Sequence, residues 1–110
     1  MRKRAMELLL QMGIPANIQG FHYICDAMEI YEKNESRITT KLCVTYQEIA
    51  EKNQVSPTSV ERCIRHALGK MASDKILEQI CGAGASGQNR TNGNLLTCLY
   101  LKLRNDTDEK

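Results

Sequence analysis

The sequence predicts an all-α fold, a six-helix bundle containing a helix-turn-helix, and three observations carry that expectation. Apolar residues recur every three or four positions through most of the chain, which is the period of an amphipathic helix. Strand-favouring aromatics are thin: Trp is absent, Phe occurs once and Tyr four times. A Ser-Pro pair at positions 56 and 57 marks a helix start in mid-chain. With 110 residues the chain is expected to form one domain, 1–110, that buries a core without disulfides or metals. Its hydrophobic and charged fractions, 42% and 25%, argue against intrinsic disorder.

Residues 3–12 read as the first helix, with Ala5, Leu8, Leu9 and Met12 on one stripe. Gly13 and Pro15 stop it. A second helix spans about 20–33, with Phe21, Ile24, Cys25, Met28 and Tyr31 as its apolar stripe and its acidic residues largely elsewhere. Asn34-Glu35-Ser36 is a break, and residues 37–44 fit either a short helix or an extended connection. Thr45 is an expected N-cap for a helix over 46–53, with Glu48 three residues on completing a capping box. Ser56 and Pro57 then open a helix over 58–72, with Val60, Cys63, Ile64, Ala67, Leu68 and Met71 inward. A shorter helix over 74–81 follows, then a Gly-rich flexible loop over 82–93. The last helix spans 95–104, with Leu95, Leu96, Leu99 and Leu103 apolar, and residues 105–110 are an expected frayed tail.

Composition excludes several function classes. No apolar run approaches the roughly 20 residues of a membrane span, and the basic start Arg2-Lys3-Arg4 lacks the apolar stretch of a signal peptide. A cytoplasmic protein is expected. Five cysteines at 25, 43, 63, 81 and 98 form no C-x-x-C pair and have no His at zinc-ligand spacing, so no metal site is implied. They read as small buried thiols in a reducing compartment. Residues 82–87 match G-x-G-x-x-G, but a helical stretch precedes them where a dinucleotide site needs a strand, so no cofactor is implied. Cys63 and His66 fall on opposite faces of one helix, which removes the nucleophile pair that an enzyme would need there. His22, beside Phe21, reads as a partly buried structural residue. The net charge of +2 neither marks a nucleic-acid binder nor excludes one.

Placement of charge is more informative. Residues 46–65 fit a helix-turn-helix. Ala50 is the small residue where the second helix crosses the first, Val55 the expected apolar anchor of the turn, and Val60 and Ile64 the face turned inward. Gln54 stands where such turns usually carry glycine. Glu61, Arg62, Arg65 and His66 lie opposite that inner stripe, in the half of the helix that enters a major groove. Arg suits guanine O6 and N7, and Glu can accept from cytosine N4. The bland alternative is a solvated face with a Glu61–Arg65 surface pair. Lys41, Lys52, Lys70 and Lys75 are candidate phosphate contacts that singly read as surface lysines.

The run Val60-Glu61-Arg62-Cys63-Ile64-Arg65-His66-Ala67-Leu68 closely resembles the recognition helix of the stage-zero sporulation response regulators, V-E-R-A-I-R-H-A-I. Residues 12–21, Met-Gly-Ile-Pro-Ala-Asn-Ile-Gln-Gly-Phe, are similar to that family's I-G-V-P-A-H-I-K-G-Y segment. Ile38, Thr39, Lys41, Tyr46, Ile49 and Ala50 fit as well. The likeness covers about residues 6–81 well and 92–104 loosely. It implies the six-helix DNA-binding effector domain of that family, binding double-stranded DNA at a TGTCGAA-like box, as a homodimer of head-to-tail domains on tandem boxes. By position it assigns base reading to Glu61, Arg62 and Arg65. Ser56, Thr58, Ser59, His66 and Lys70 are weaker expected contacts to DNA backbone or base edges. Cys63 departs from the family's small apolar residue, and the 82–93 loop is unlike the family's. The resemblance also implies a partner, an N-terminal receiver domain absent from this sequence. Either the domain is excised, with Met1 to Arg4 a linker remnant, or the protein stands alone. The rival from another class is a helical protein-interaction module without DNA affinity.

Overall fold

The computed structural model describes residues 1–71 and 91–108. Within them the chain is all-helical: α1 (Arg2–Gln11), α2 (Gln19–Lys33), a 3-10 turn (Glu35–Ile38), α3 (Leu42–Asn53), α4 (Pro57–Leu68) and α5 (Asn92–Asp108). The expected helix over 74–81 and most of the 82–93 loop lie outside the described residues. Among the described residues there are five α-helices, and the sixth that was expected is the one over 74–81.

Helix ends follow local chemistry. Gly13 (φ 86°) ends α1: its N–H donates to the Leu10 carbonyl at 3.0 Å and that of Ile14 to the Leu9 carbonyl at 3.0 Å. This is a Schellman closure, sealed by Ile14 and Leu9, both buried. The end of α3 repeats it without glycine. Gln54 takes the left-handed conformation (φ 57°), its N–H reaching the Glu51 carbonyl at 3.4 Å and that of Val55 the Ala50 carbonyl at 3.0 Å. Ser56 caps α4 as expected, its Oγ accepting the Ser59 N–H at 3.1 Å, with Pro57 in the first turn.

Several boundaries differ from expectation. Arg2 to Arg4 form the first turn of α1 rather than a linker. The ambiguous stretch 37–44 splits between the 3-10 turn and the start of α3. α3 begins at Leu42, because Leu42 packs against the core and draws another turn into the helix. The Thr45 capping box therefore does not form: Thr45 is buried inside α3, and Glu48 pairs with Arg37 at 2.6 Å. α4 ends at Leu68 instead of 72, because Gly69 closes the helix and the chain turns at Lys70. α5 starts at Asn92 and continues to Asp108, so 92–93 and 105–108 are helix rather than loop and frayed tail.

The core is one apolar cluster to which every α-helix contributes. The expected stripes of α1, α2 and α5 are buried throughout. On α4, Val60, Ile64, Ala67 and Leu68 are buried, whereas Cys63 and Met71 are partly so. α2 runs through the centre and touches all the other helices. Where it crosses α4 the backbones meet: a Cβ on Gly20 would lie 2.0 Å from the Cys63 carbonyl oxygen and 2.8 Å from the Ala67 Cβ. Tyr31 of α2 meets Tyr100 of α5 edge to face at 5.7 Å, and Tyr100 donates to Glu35 at 3.2 Å. Of the cysteines expected to be buried, Cys25 is, and burial pushes its thiol up to about 11, in keeping with an inert core thiol; Cys63 and Cys98 are only partly buried, and Cys43, at the start of α3, is exposed.

One polar knot sits in this frame. Asp26, on α2, is buried, and its Oδ1 accepts from Arg2 of α1 at 2.7 Å and Lys52 of α3 at 2.9 Å, while its Oδ2 accepts from Asn53 at 3.0 Å. Burial alone would raise its pKa, but the three donors outweigh burial and hold it below its ordinary 3.8.

Three outcomes are expected. Gly20→Ala destabilises the protein by about 1–3 kcal/mol in a denaturant titration, because two backbones must part. Gln54→Gly stabilises it by about 0.5–1 kcal/mol at unchanged m-value, because glycine takes a positive φ without strain. The stabilisation from ionised Asp26 is complete above the unfolded carboxylate's pKa and is lost as pH falls through the lower folded value. Acid titration of Asp26→Asn therefore shows a weaker loss of stability below about pH 4 than wild type.

Candidate functional site

α4 has one face in the core and one in water. Burial of Val60, Ile64, Ala67 and Leu68 turns Arg62, Arg65 and His66 outward, all three exposed. Between 57 and 70 two arginines, a lysine and a histidine stand against a single acidic residue, Glu61. Arg62, Arg65, His66, Gly69 and Lys70 line one shallow, open groove. The early helix end moves Lys70 off the helix, but the turn at Gly69 returns it to the same groove.

Glu61 lies beside this groove, partly buried, and forms an ion pair with Arg65 one turn on. Ser56, Thr58 and Ser59 are exposed at the start of α4. Of these, Ser56 is engaged as the cap and also donates to the Ser59 hydroxyl at 3.1 Å. The eight expected site residues thus occupy one outer surface of α4 and its two ends: Ser56, Thr58 and Ser59 at the start, Arg62, Arg65, His66 and Lys70 along the groove, and Glu61 beside it.

Other expectations are corrected. Lys52 pairs with Asp26 at 2.9 Å and lies 3.8 Å from Glu29, so its charge already has acidic partners within the fold. Val55 is 38% exposed: its backbone N–H closes the turn, and its side chain does not anchor it. Ala50 and Val60 do pack as expected between α3 and α4. Lys75 lies outside the described residues. His22 is partly buried, its Nε2 2.9 Å from the Ala16 carbonyl oxygen, which keeps it structural.

Two residues with no expected role complete the surroundings of the Glu61–Arg65 pair. Tyr46 of α3 and Asn92 of α5 line a cleft with Leu42, Glu61, Arg65, Thr91 and Gly93. The Asn92 Nδ2 donates to the Tyr46 hydroxyl at 3.1 Å and to the Glu61 main-chain carbonyl at 3.5 Å. Burial raises the Tyr46 phenol pKa, against smaller opposing effects from the Asn92 amide and the Arg65 charge. Residues 91–94 carry a usable signal, since the Thr91 hydroxyl accepts the Asn94 N–H at 3.2 Å as a helix cap does.

Among the described residues no group of His, Cys, Asp and Glu is placed to hold a metal, and no helix is long and apolar enough to cross a membrane. The exposed basic groove on a rigidly seated helix is suited to a polyanion.

The model of the family described as sporulation initiation factor Spo0A C terminal matches residues 5–103. That span takes in α1 from Ala5 onward, α2 to α4 whole and α5 as far as Leu103, and it includes the Gly20 crossing and the whole basic groove. The chain belongs to this family, the DNA-binding output domains of the sporulation transcription regulator.

Proposed function

We propose that this chain acts as one DNA-binding unit in which α3 and α4 are a helix-turn-helix and α4 lies in the major groove of a TGTCGAA-like box. Glu61, Arg62 and Arg65 read base edges. Ser56, Thr58 and Ser59 at the start of α4, with His66 and Lys70 along the groove, contact phosphates or base edges. Two copies bind tandem boxes head to tail, in the cytoplasm, and a receiver domain controls the output. The observation that carries this reading is the groove of Arg62, Arg65, His66 and Lys70 on a helix whose opposite face is fully committed to the core. Arg62 and Arg65 extend from a regular helix, which is the platform bidentate guanine contacts require.

Among the described residues the protein-interaction alternative has no comparable surface. The large exposed hydrophobics among the described residues, Leu10, Val55 and Leu101, sit on α1, the α3–α4 turn and α5. Apolar side chains scattered singly are normal on a soluble surface.

The test is a fluorescence-anisotropy titration against a TGTCGAA duplex and a scrambled duplex at two salt concentrations. The box is expected to bind at least about tenfold tighter, a difference of about 1.4 kcal/mol. Affinity for both duplexes falls as salt rises, with a log–log slope of about −0.9 per phosphate neutralised. Arg62→Ala and Arg65→Ala each cost about 1–3 kcal/mol on the box and relax the preference at one base pair. Wild-type affinity in either variant would remove that residue from the reading surface.

A further inference from the structure

We propose that Asn92 is a positioning residue for DNA readout, its side-chain amide clamping α4 to α3 and thereby fixing the direction in which Glu61 and Arg65 project. The proposal rests on the DNA-reading role of α4 given above and names the part of the fold that holds that helix in register.

One amide joins three helices. Asn92 is the first residue of α5, Tyr46 belongs to α3 and Glu61 to α4. The Asn92 NH2 group has two protons and here meets two acceptors, the Tyr46 hydroxyl at 3.1 Å and the Glu61 carbonyl at 3.5 Å. A carbonyl can only accept, so the amide must present its nitrogen to Glu61. In an α-helix the Glu61 carbonyl also accepts the N–H of Arg65, and its second lone pair is what Asn92 uses. The clamp therefore grips the peptide group beneath the Glu61–Arg65 pair rather than either side chain.

The surroundings hold Asn92 in place. Tyr46 is buried in the core cluster, so its hydroxyl is a fixed acceptor. Next to Asn92, the position of a Gly93 Cβ would be 3.6 Å from a Leu42 methyl, so the start of α5 rests on α3. Leu95 and Leu96 follow immediately and are buried, anchoring the first turn of α5. The same cleft is lined by Glu61 and Arg65 and opens to solvent beside the expected reading surface.

The experiment uses the full chain with Asn92→Ala and Tyr46→Phe, singly and together. Amide hydrogen exchange at residues 61–65 is read by NMR, and anisotropy is read on the box and the scrambled duplex. In Asn92→Ala the Arg65 amide is expected to exchange faster, and preference for the box to fall about fivefold, the worth of one net hydrogen bond. Affinity for the scrambled duplex stays at the wild-type value. Tyr46→Phe, which removes only a hydroxyl, moves both readouts the same way, and the double variant is no worse than Asn92→Ala. A purely structural role would instead lower both affinities together with the melting temperature, and that result overturns the proposal. Unchanged exchange at 61–65, in a protein that prefers the box, overturns the clamp alone. Faster exchange in a protein that never preferred the box overturns the DNA reading, and with it the clamp's part in readout.

Discussion

The contact at Gly20 governs the architecture. α2 and α4 approach so closely that the second residue of one helix abuts a carbonyl of the other, with the prospective Cβ 2.0 Å from the Cys63 oxygen. Such an approach exists only where there is no side chain. It lets the stripe Val60, Ile64 and Ala67 sink fully into the core, and that depth turns Arg62, Arg65 and His66 outward. A wider crossing would leave the inner stripe half wet and rotate the basic face. The geometry of the candidate interface is in this sense set by an atom that is missing on the far side of the helix.

The other fixings are arranged around that crossing and differ in kind. Asp26 is a charged tie among α1, α2 and α3, with donors that are themselves 35% and 59% exposed on their side chains, Arg2 and Lys52. Its net worth is moderated by that exposure, since half-hydrated cations interact weakly. Its directional value is larger, because three donors from two helices converge on one buried carboxylate. α5 is held differently, by an apolar stripe against the core, by Tyr100 and Arg104 on Glu35 at one end and by Asn92 at the other.

Most helices were legible from periodicity because each carries a single dominant stripe. Phe21, Ile24, Cys25, Met28 and Tyr31 announced α2, and all are buried. The Ser56-Pro57 start was legible because capping is local chemistry. Boundaries set by tertiary contacts were not. Leu42 extends α3 by packing on the core, and nothing local marks it against the Thr45 signal. Met71 continued the apolar pattern of α4 past Gly69, where the helix in fact closes. Among the site residues, the outward-facing set followed from helical geometry and the likeness of residues 60–68. Asp26 and Asn92 escaped because their partners are 24 to 27 and 31 to 46 residues away in sequence. A lone carboxylate in an apolar helix, or an asparagine in a Gly-rich stretch, looks solvated until the fold closes around it.

The separation of duties on α4 has a consequence for how such a protein can change. The residues that hold the helix and the residues that face outward share no side chain: Val60, Ile64, Ala67 and Leu68 on one side, Arg62, Arg65 and His66 on the other. The tie from Asn92 reaches the main chain at position 61, so it does not depend on which side chain stands there. Exchanges on the outer face therefore leave the scaffold's free energy nearly untouched. A lineage of such domains can drift from one target to another by single steps, each intermediate folded, with innovation confined to a few square nanometres of surface.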